Sequence, residues 1–279
     1  MDDDRQPGPA ELLHAWLHAH RRVFVLTGAG ISTNSGIPDY RGPDARWKRR
    51  APITWQAFTQ DPRMRARYWA RSYAGWPMVA HARPNRGHVA LARLEQRDRL
   101  ATLVTQNVDG LHARAGQLDV IDLHGRIDRV VCLDCNAQLP RAQLQAMLAE
   151  ANPALISLSA TTAPDGDADV EPGDLDGFAH PACPQCGGML KPDVVFFGEN
   201  VPRPRVEAAT AALRDADAML VVGSSLMVYS GYRFARIARE SGKPLAILTR
   251  GVTRADELAT LKLDAECEAT LAAAIAGSP

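Results

Sequence analysis

Four cysteines stand as two knuckles, Cys132-x-x-Cys135 and Cys183-x-x-Cys186, and a fifth, Cys267, stands alone. Each knuckle offers two thiolates to one ion, and two knuckles complete the four-sulfur set of a tetrahedral zinc site. A redox pair or reduced core cysteines would account for one knuckle, and the duplication speaks against both. Four sulfurs leave no open position, so one structural Zn2+ is expected. His180, three residues before Cys183, is a competing ligand the set does not need and reads as a surface histidine. A second kind of chemistry lies in Gly28-Ala-Gly30, where missing side chains let backbone approach a pyrophosphate at a helix start. The third glycine of the usual dinucleotide fingerprint is replaced by Thr33, and no acidic residue stands convincingly at the end of a second strand, which disfavours a hydride-transferring dehydrogenase. Asp39 and Arg41, in Gly36-Ile-Pro-Asp-Tyr-Arg41, read as a surface ion pair or as contacts to a polar ligand. Thr105-Gln-Asn-Val-Asp-Gly-Leu-His112 offers the amides of Gln106 and Asn107 and the carboxylate of Asp109 to hydroxyls or a carboxamide. His124, in Leu123-His-Gly125, carries an imidazole that titrates where a general base is useful. His14 and His18 have metal-compatible spacing but lack the zincin glutamate, and read as helix surface.

These residues need a frame. Pro9 to His20 places Leu12, Leu13, Trp16 and Leu17 on one face, an amphipathic helix. Val23-Phe-Val-Leu-Thr27 is a short apolar run feeding the glycine turn, the pattern of a buried parallel strand. Similar runs recur at Leu103–Thr105, Val194–Phe197, Met219–Val222 and Leu245–Leu248, with helical patterns at His88–Gln96, Val206–Arg214 and Phe234–Ser241 between them. The alternation predicts an α/β fold, a Rossmann-like doubly wound parallel sheet with helices on both faces. Loops at the C-terminal edge of such a sheet bind ligands, which puts the Gln106–Asp109 cluster in the right place. From about Gly125 to Lys191 the rhythm breaks around both knuckles and a helix-like Arg141–Glu150. That stretch is expected to be an inserted small zinc-binding module, 125–190, with 1–124 and 191–279 forming the Rossmann-like domain. A module of that size needs a metal staple. Its acidic loop, Asp165 to Asp176, reads as a solvated loop, since no glutamate sits at the twelfth position of a calcium-binding pattern.

Composition bounds the function. The 279 residues are 46% hydrophobic and 23% charged, the balance of an ordinary globular protein. Lys plus Arg (32) equals Asp plus Glu (32), so the basic excess of a direct nucleic-acid binder is missing. No apolar stretch is long enough for a membrane span, and the acidic start differs from secretory and transit signals, so a soluble, cytoplasmic protein is expected.

In order and spacing, Gly28-Ala-Gly-Ile-Ser32, Gly36-Ile-Pro-Asp-Tyr-Arg41, Gln106-Asn-Val-Asp-Gly-Leu-His112, Leu123-His-Gly125, the two knuckles, Lys191-Pro-Asp-Val-Val-Phe-Phe-Gly-Glu199 and Gly223-Ser-Ser-Leu226 resemble the sirtuin family over nearly the whole chain. Arg67-Tyr-Trp-Ala-Arg71, Gly75-Trp-Pro77, Val131-Cys-Leu-Asp-Cys135 and Val228-Tyr-Ser-Gly-Tyr-Arg-Phe234 look most like its class II branch. The resemblance implies an NAD-consuming protein-lysine deacylase with a cleft between a large domain and a zinc module. In the family, the acyl oxygen attacks C1′ of the nicotinamide ribose, nicotinamide leaves, and an alkylimidate collapses to lysine and O-acyl-ADP-ribose. His124 matches the catalytic base, and Asn107 and Asp109 match residues that position ribose and carboxamide. Gly28, Ala29, Gly30, Ile31, Ser32, Asp39, Tyr40 and Arg41 match the cofactor-binding segment, with Gln106 and Val108 beside the ribose. Gly223, Ser224 and Ser225 match a phosphate or ribose turn, Thr249, Arg250 and Gly251 the adenosine-ribose loop, and Cys267 a position whose backbone faces adenine. Thr249 stands where the family carries asparagine.

Acyl-lysine proteins or peptides in the family add as a strand between two edges. Val195 to Glu199 matches one edge and Leu226 to Ser230 the other, so Val195, Phe196, Phe197, Gly198 and Val228 are the expected substrate contacts. The run Arg46, Lys48, Arg49, Arg50 reads as a solvated loop, with closure over pyrophosphate or an acidic acyl group as the sharper alternative. Arg46 occupies the tyrosine position of the pair that desuccinylases use, so no dedicated desuccinylase is expected. The competing functions are mono-ADP-ribosyl transfer to protein and a non-catalytic NAD- or acyl-peptide-binding module.

Overall fold

The computed structural model describes residues 6–48, 52–153, 161–162, 168–169 and 177–276. Arg49, Arg50 and most of the acidic loop from Asp165 to Asp176 lie outside them.

In chain order the elements are α1 (Pro9–Ala19), β1 (Val23–Thr27), α2 (Trp55–Gln60), α3 (Pro62–His81), α4 (Arg86–Gln96), β2 (Leu100–Thr105), α5 (Leu111–Arg114) and β3 (Val120–Asp122). There follow β4 (Gly125–Cys132), β5 (Gln138–Pro140), α6 (Arg141–Ala151), the short pair β6 (Thr161–Thr162) and β7 (Ala168–Asp169), and β8 (Leu190–Val194). The chain closes with α7 (Arg203–Asp215), β9 (Ala218–Val222), α8 (Tyr229–Glu240), β10 (Leu245–Leu248), β11 (Leu261–Leu263) and α9 (Cys267–Ala276).

Six strands form one parallel sheet in the order β11-β10-β9-β1-β2-β3. Every residue of β1, β9 and β10 is buried, because alternate side chains meet helices on opposite faces. Val25, Leu220 and Leu248 pack against Leu13 of α1, Leu91 of α4 and Leu271 of α9. Phe24, Leu26 and Ile247 face Leu213 of α7 and Phe234 of α8. The chain leaves β1 toward β2 on one side while β9 fills the other, so the strand order reverses at the β1/β9 boundary. A crevice opens there, at the carboxyl ends of the strands.

The second sheet is antiparallel, β5-β4-β8. This corrects the reading of Val194–Phe197 as another parallel strand: β8 stops at Val194 and pairs with β4, and Val195–Phe197 runs on as extended chain with a single bridge from Phe197 to Thr54. An apolar run alone does not say which sheet it joins. The small module's core draws on Val130, Leu139, Leu144, Phe178 and Leu190 together with Ile53, Phe58, Tyr68 and Trp69 from α2, α3 and the residue before them.

Helix α3 escapes the apolar pattern because it carries Gly75 and Pro77 and four arginines. Proline within a helix leaves the carbonyl four residues back without its N–H partner. That carbonyl, of Tyr73, accepts instead from Nε2 of Gln145 on α6, at 3.0 Å. Arg141, fully buried at the start of α6, donates to the Ser72 carbonyl at 3.1 Å and lies near the Trp69 and Trp76 rings. The turn of α3 before Pro77 is therefore where α6 of the small module packs.

Candidate active site

A cavity of about 650 Å3 occupies the crevice, bounded by the ends of β1, β2, β9 and β10 below and by Val194–Val201 above. Its floor is backbone against backbone. The Gly30 N–H donates to the Gly223 carbonyl at 2.8 Å and that of Gly28 to Val222 at 3.0 Å. A Cβ added at Gly30 would lie 2.8 Å from Gly223 Cα, and Gly223 itself has φ +64°. Only glycines close this contact, and it leaves Ala29, Gly30, Ser224 and Ser225 facing the cavity. Gly28 lies just beneath, its carbonyl accepting from Asn107 Nδ2 at 3.1 Å, and Ile31 is buried in the core rather than lining the site.

Polar groups converge above this floor. Asn107 Nδ2 also donates to Ser32 Oγ at 3.1 Å, and Ser32 donates to Asp109 Oδ2 at 2.8 Å. Asp109 Oδ1 accepts the Leu111 N–H at 2.8 Å. Burial raises the Asp109 carboxyl above its ordinary value, against the pull of those two bonds. Gln106 Oε1 accepts from Ser224 Oγ at 2.6 Å. Beneath Ser32, the buried rings of His88 and His112 lie 4.8 Å apart, both held neutral by desolvation. Val108 lines the cavity and its carbonyl holds Ile127 N–H at 2.9 Å, tying the loop to β4.

His124 projects into the same space between the two sheets. Its Nδ1 lies 2.9 Å from the Gln106 carbonyl oxygen, which can only accept, so Nδ1 carries the proton. Nε2 then presents a lone pair, 2.8 Å from Ser230 Oγ. Burial pushes the ring down to about 4, so it is neutral at physiological pH.

The loop after β1 forms one wall. Asp39 and Arg41 do not pair with each other: Asp39 holds Lys48, while Arg41 donates to the Ala45 carbonyl at 2.8 Å and lies over the Trp47 ring at 4.1 Å. Trp47 also meets Tyr40 and Phe197 edge-on, at 6.0 and 5.6 Å between centroids, so this loop touches the opposite wall. Arg46 is exposed beside Asp44. At the far end Thr249, Arg250 and Cys267 line the cavity. Gly251 does not. With φ +78° it packs on Pro43, where a Cβ would fall 2.0 Å from the carbonyl oxygen. Burial pushes the Cys267 thiol up to about 12, which leaves it protonated and unreactive.

Val195, Phe196, Phe197 and Gly198 form the upper wall and Val228 faces them. The Val195 N–H donates to the His124 carbonyl at 2.8 Å, and the Phe197 carbonyl accepts from Trp55 N–H at 2.9 Å. Lys191 and Glu199 bracket the segment: they pair at 3.1 Å, and Glu199 also accepts the Phe196 N–H at 2.8 Å. The opposite edge is shorter than the motif implies, because α8 begins at Tyr229 and Ser230 sits in its first turn. Arg233 and Trp47 line the site without having been singled out, and Ser230, expected only as the end of a substrate edge, lines it beside His124. Ser230 and Arg233 are three apart in a helix that follows the Gly223 turn, a spacing that puts both on one face.

The four knuckle sulfurs lie within 4.8 Å of one another, Cys132–Cys186 at 3.5 Å and Cys135–Cys183 at 3.8 Å, with no disulfide among them. Tetrahedral zinc at ~2.3 Å from each sulfur separates its ligands by ~3.8 Å, so the set fits. Backbone bonds also shape the knuckles: Leu133 N–H bonds the Met189 carbonyl at 2.8 Å, and Cys183 N–H bonds the Gly188 carbonyl at 2.9 Å. His180 stands outside the cluster, half-buried.

A family model described as the Sir2 family matches residues 28–230. A relative from Xanthomonas campestris pv. campestris (strain 8004), named NAD-dependent protein deacetylase, is 56% identical over 267 residues, covering 96% of this chain and 90% of that protein. Among solved structures, a Sir2 variant with deacetylated p53 peptide and 3′-O-acetyl ADP ribose superposes with TM-score 0.77 at 32% identity, covering 97% of this chain and 98% of that one. A Sir2 complex with p53 peptide and NAD+ gives TM-score 0.74 at 32% identity over 92% of this chain and 93% of that one.

Proposed function

The chain belongs to the Sir2 family, and from that premise we propose that it is an NAD-dependent protein-lysine deacetylase whose base is His124. The observation that carries this is the placement of that imidazole: it lines the cavity with its tautomer set by the Gln106 carbonyl and its Nε2 lone pair turned to the Ser230 hydroxyl, and burial favours the neutral ring. A base must be unprotonated and within reach of the proton it takes. NAD is the co-substrate, and its cleavage supplies the ribosyl carbon that accepts the acyl oxygen. The glycine floor of Gly28, Gly30 and Gly223 lets the pyrophosphate approach backbone, with Arg41 and Arg250 as the nearby cations. Asn107, both of whose amide protons are engaged, keeps its acceptor oxygen for the carboxamide or ribose. Ser32 and Asp109 hold Asn107 in place. An acyl-lysine peptide lies as a strand between Val195–Gly198 and Val228, its acyl chain passing Phe197 and Val195. When His124 accepts the ribose hydroxyl proton at Nε2, the ring becomes cationic and the sugar oxygen becomes the nucleophile for acyl transfer.

The zinc held by Cys132, Cys135, Cys183 and Cys186 is structural, since four thiolates leave it no open position. We divide the chain into 1–124 with 191–279 and the zinc module 125–190, to whose core α2 and α3 contribute. The Val228–Phe234 motif supports the class II branch. Among the described residues no helix is long and apolar enough to cross a membrane. Four thiols kept reduced for metal fit the cytoplasm, where we place the protein.

The test is incubation with NAD and a panel of acyl-lysine peptides, scoring nicotinamide and deacylated peptide by mass spectrometry. Turnover that His124→Ala abolishes, with zinc content unchanged, is expected. ADP-ribosylated protein without deacylation would replace this reading with the transferase, and no turnover on any acyl group would replace it with a binding module.

A further inference from the structure

His124 has no carboxylate on either ring nitrogen: Nδ1 meets a backbone carbonyl and Nε2 meets the hydroxyl of Ser230. We propose that Ser230 is a positioning residue for the reaction, holding the His124 ring toward the cavity as a hydrogen-bond acceptor at Nε2 until the ribose hydroxyl takes its place. The inference deepens the deacetylase reading and rests on it.

The chemistry of the two bonds is fixed by the partners. A carbonyl oxygen cannot donate, so the Nδ1 proton points to Gln106, and the neutral ring can only accept at Nε2. Ser230 therefore donates its proton to the very lone pair that the reaction needs. A ribose hydroxyl arriving at Nε2 is a donor of the same kind and can exchange for it without the ring turning or changing tautomer. The ring is thus already aligned before substrate enters.

Ser230 can do this because α8 approaches the His124 loop closely. The next residue, Gly231, has no side chain, and a Cβ there would stand 2.6 Å from Gln106 Nε2. Gln106 is pinned in turn by Ser224 Oγ at 2.6 Å. One residue, Gln106, therefore gives its carbonyl to the ring and its side chain to the packing that brings Ser230 within 2.8 Å of the ring. Two cations act on the imidazole from the packed elements, Arg205 of α7 and Arg233 of α8, and both disfavour its protonation. Asp193 beside Arg205, at 3.4 Å, offsets part of that charge. A hydroxyl donated to Nε2 works in the same direction, because it stabilises the neutral form alone.

The experiment compares wild type, Ser230→Ala and Ser230→Thr by kcat/KM for NAD across pH, with zinc content and thermal midpoint measured on each. Ser230→Ala is expected to lower kcat/KM about tenfold, the worth of one buried hydrogen bond, and to move the acidic limb to higher pH. Ser230→Thr, which keeps the hydroxyl, restores both. An Ala variant within twofold of wild type with an unmoved limb, or a Thr variant as impaired as Ala, would overturn the proposal. Should Ser230→Ala fail to fold, 15N shifts of wild-type histidines, assigned by loss in His124→Ala, decide: a neutral ring protonated at Nδ1 with a hydrogen-bonded Nε2 is expected, and a proton on Nε2 overturns it. Wild-type protein that turns over no acyl peptide would sink the deacetylase reading, while the 15N result still reports on the Ser230 bond.

Discussion

A buried histidine is useful here only while it stays neutral, and the fold keeps several so. His88 is wholly buried under Ser32, and burial lowers it to about 4, with Glu268 opposing and Arg114 assisting. The unfolded chain binds a proton below about pH 6.5 that the folded chain refuses, so stability rises with pH across that window. The contribution is complete above about 6.5 and is lost as pH falls through about 4, a loss of about 3 kcal/mol. Urea unfolding from pH 7 to pH 4.5 should show that decline, and His88→Asn should make it shallower, with His112 and His124 keeping their share. A slope unchanged by the substitution would place the acid sensitivity elsewhere.

At the scale of elements, the β1 turn and the β9 turn are pressed together at Gly30 and Gly223, which makes glycine a steric requirement rather than a preference. Gly30→Ala sets a methyl 2.8 Å from Gly223 Cα, and neither backbone can move without shifting its strand. A loss of about 1–3 kcal/mol follows from overpacking, with weaker ADP-ribose binding because the floor of the cavity rises. Thermal unfolding and calorimetric titration check the two effects separately. The α3–α6 contact is another element-scale device. Pro77 frees the Tyr73 carbonyl and Gln145 fills it, which orients the zinc module against α3.

For the whole molecule, the zinc module's core is built from two stretches far apart in sequence, Ile53–Tyr73 and the described part of Val130–Leu190, joined with Phe196 in one apolar cluster. Removing metal should therefore loosen both. Hydrogen exchange after chelation is expected to quicken in α2 and α3 as well as in β4, β5 and α6, while β1, β9 and β10 keep their protection. Loss confined to 125–190 would mean the two stretches are energetically separate. Because Phe196 packs on Phe58 and Tyr68, at 5.0 and 5.1 Å, the upper wall of the cavity should loosen with them.

Much of this was legible in one dimension. The runs at Val23–Thr27, Met219–Val222 and Leu245–Leu248 announce a parallel sheet because strands buried on both faces have no polar positions to interrupt them. The knuckles announce a four-thiol cluster because the spacing within each belongs to the local chain. Motif order carried the family, and with it the polar groups of the cavity. Other features depended on contacts between distant residues. The side of the molecule that Val194–Phe197 joins depended on β4, the helix through Pro77 on a glutamine sixty-odd residues away, and the partners of Asp39 and Arg41 on how their loop folds over Trp47. Ser230 falls in this class as well: its meeting with His124 requires α8 and the β3–β4 turn to pack together, a juxtaposition across 106 residues that no local pattern encodes. Residue type and short-range spacing specify which groups are present, whereas packing alone specifies which of them meet.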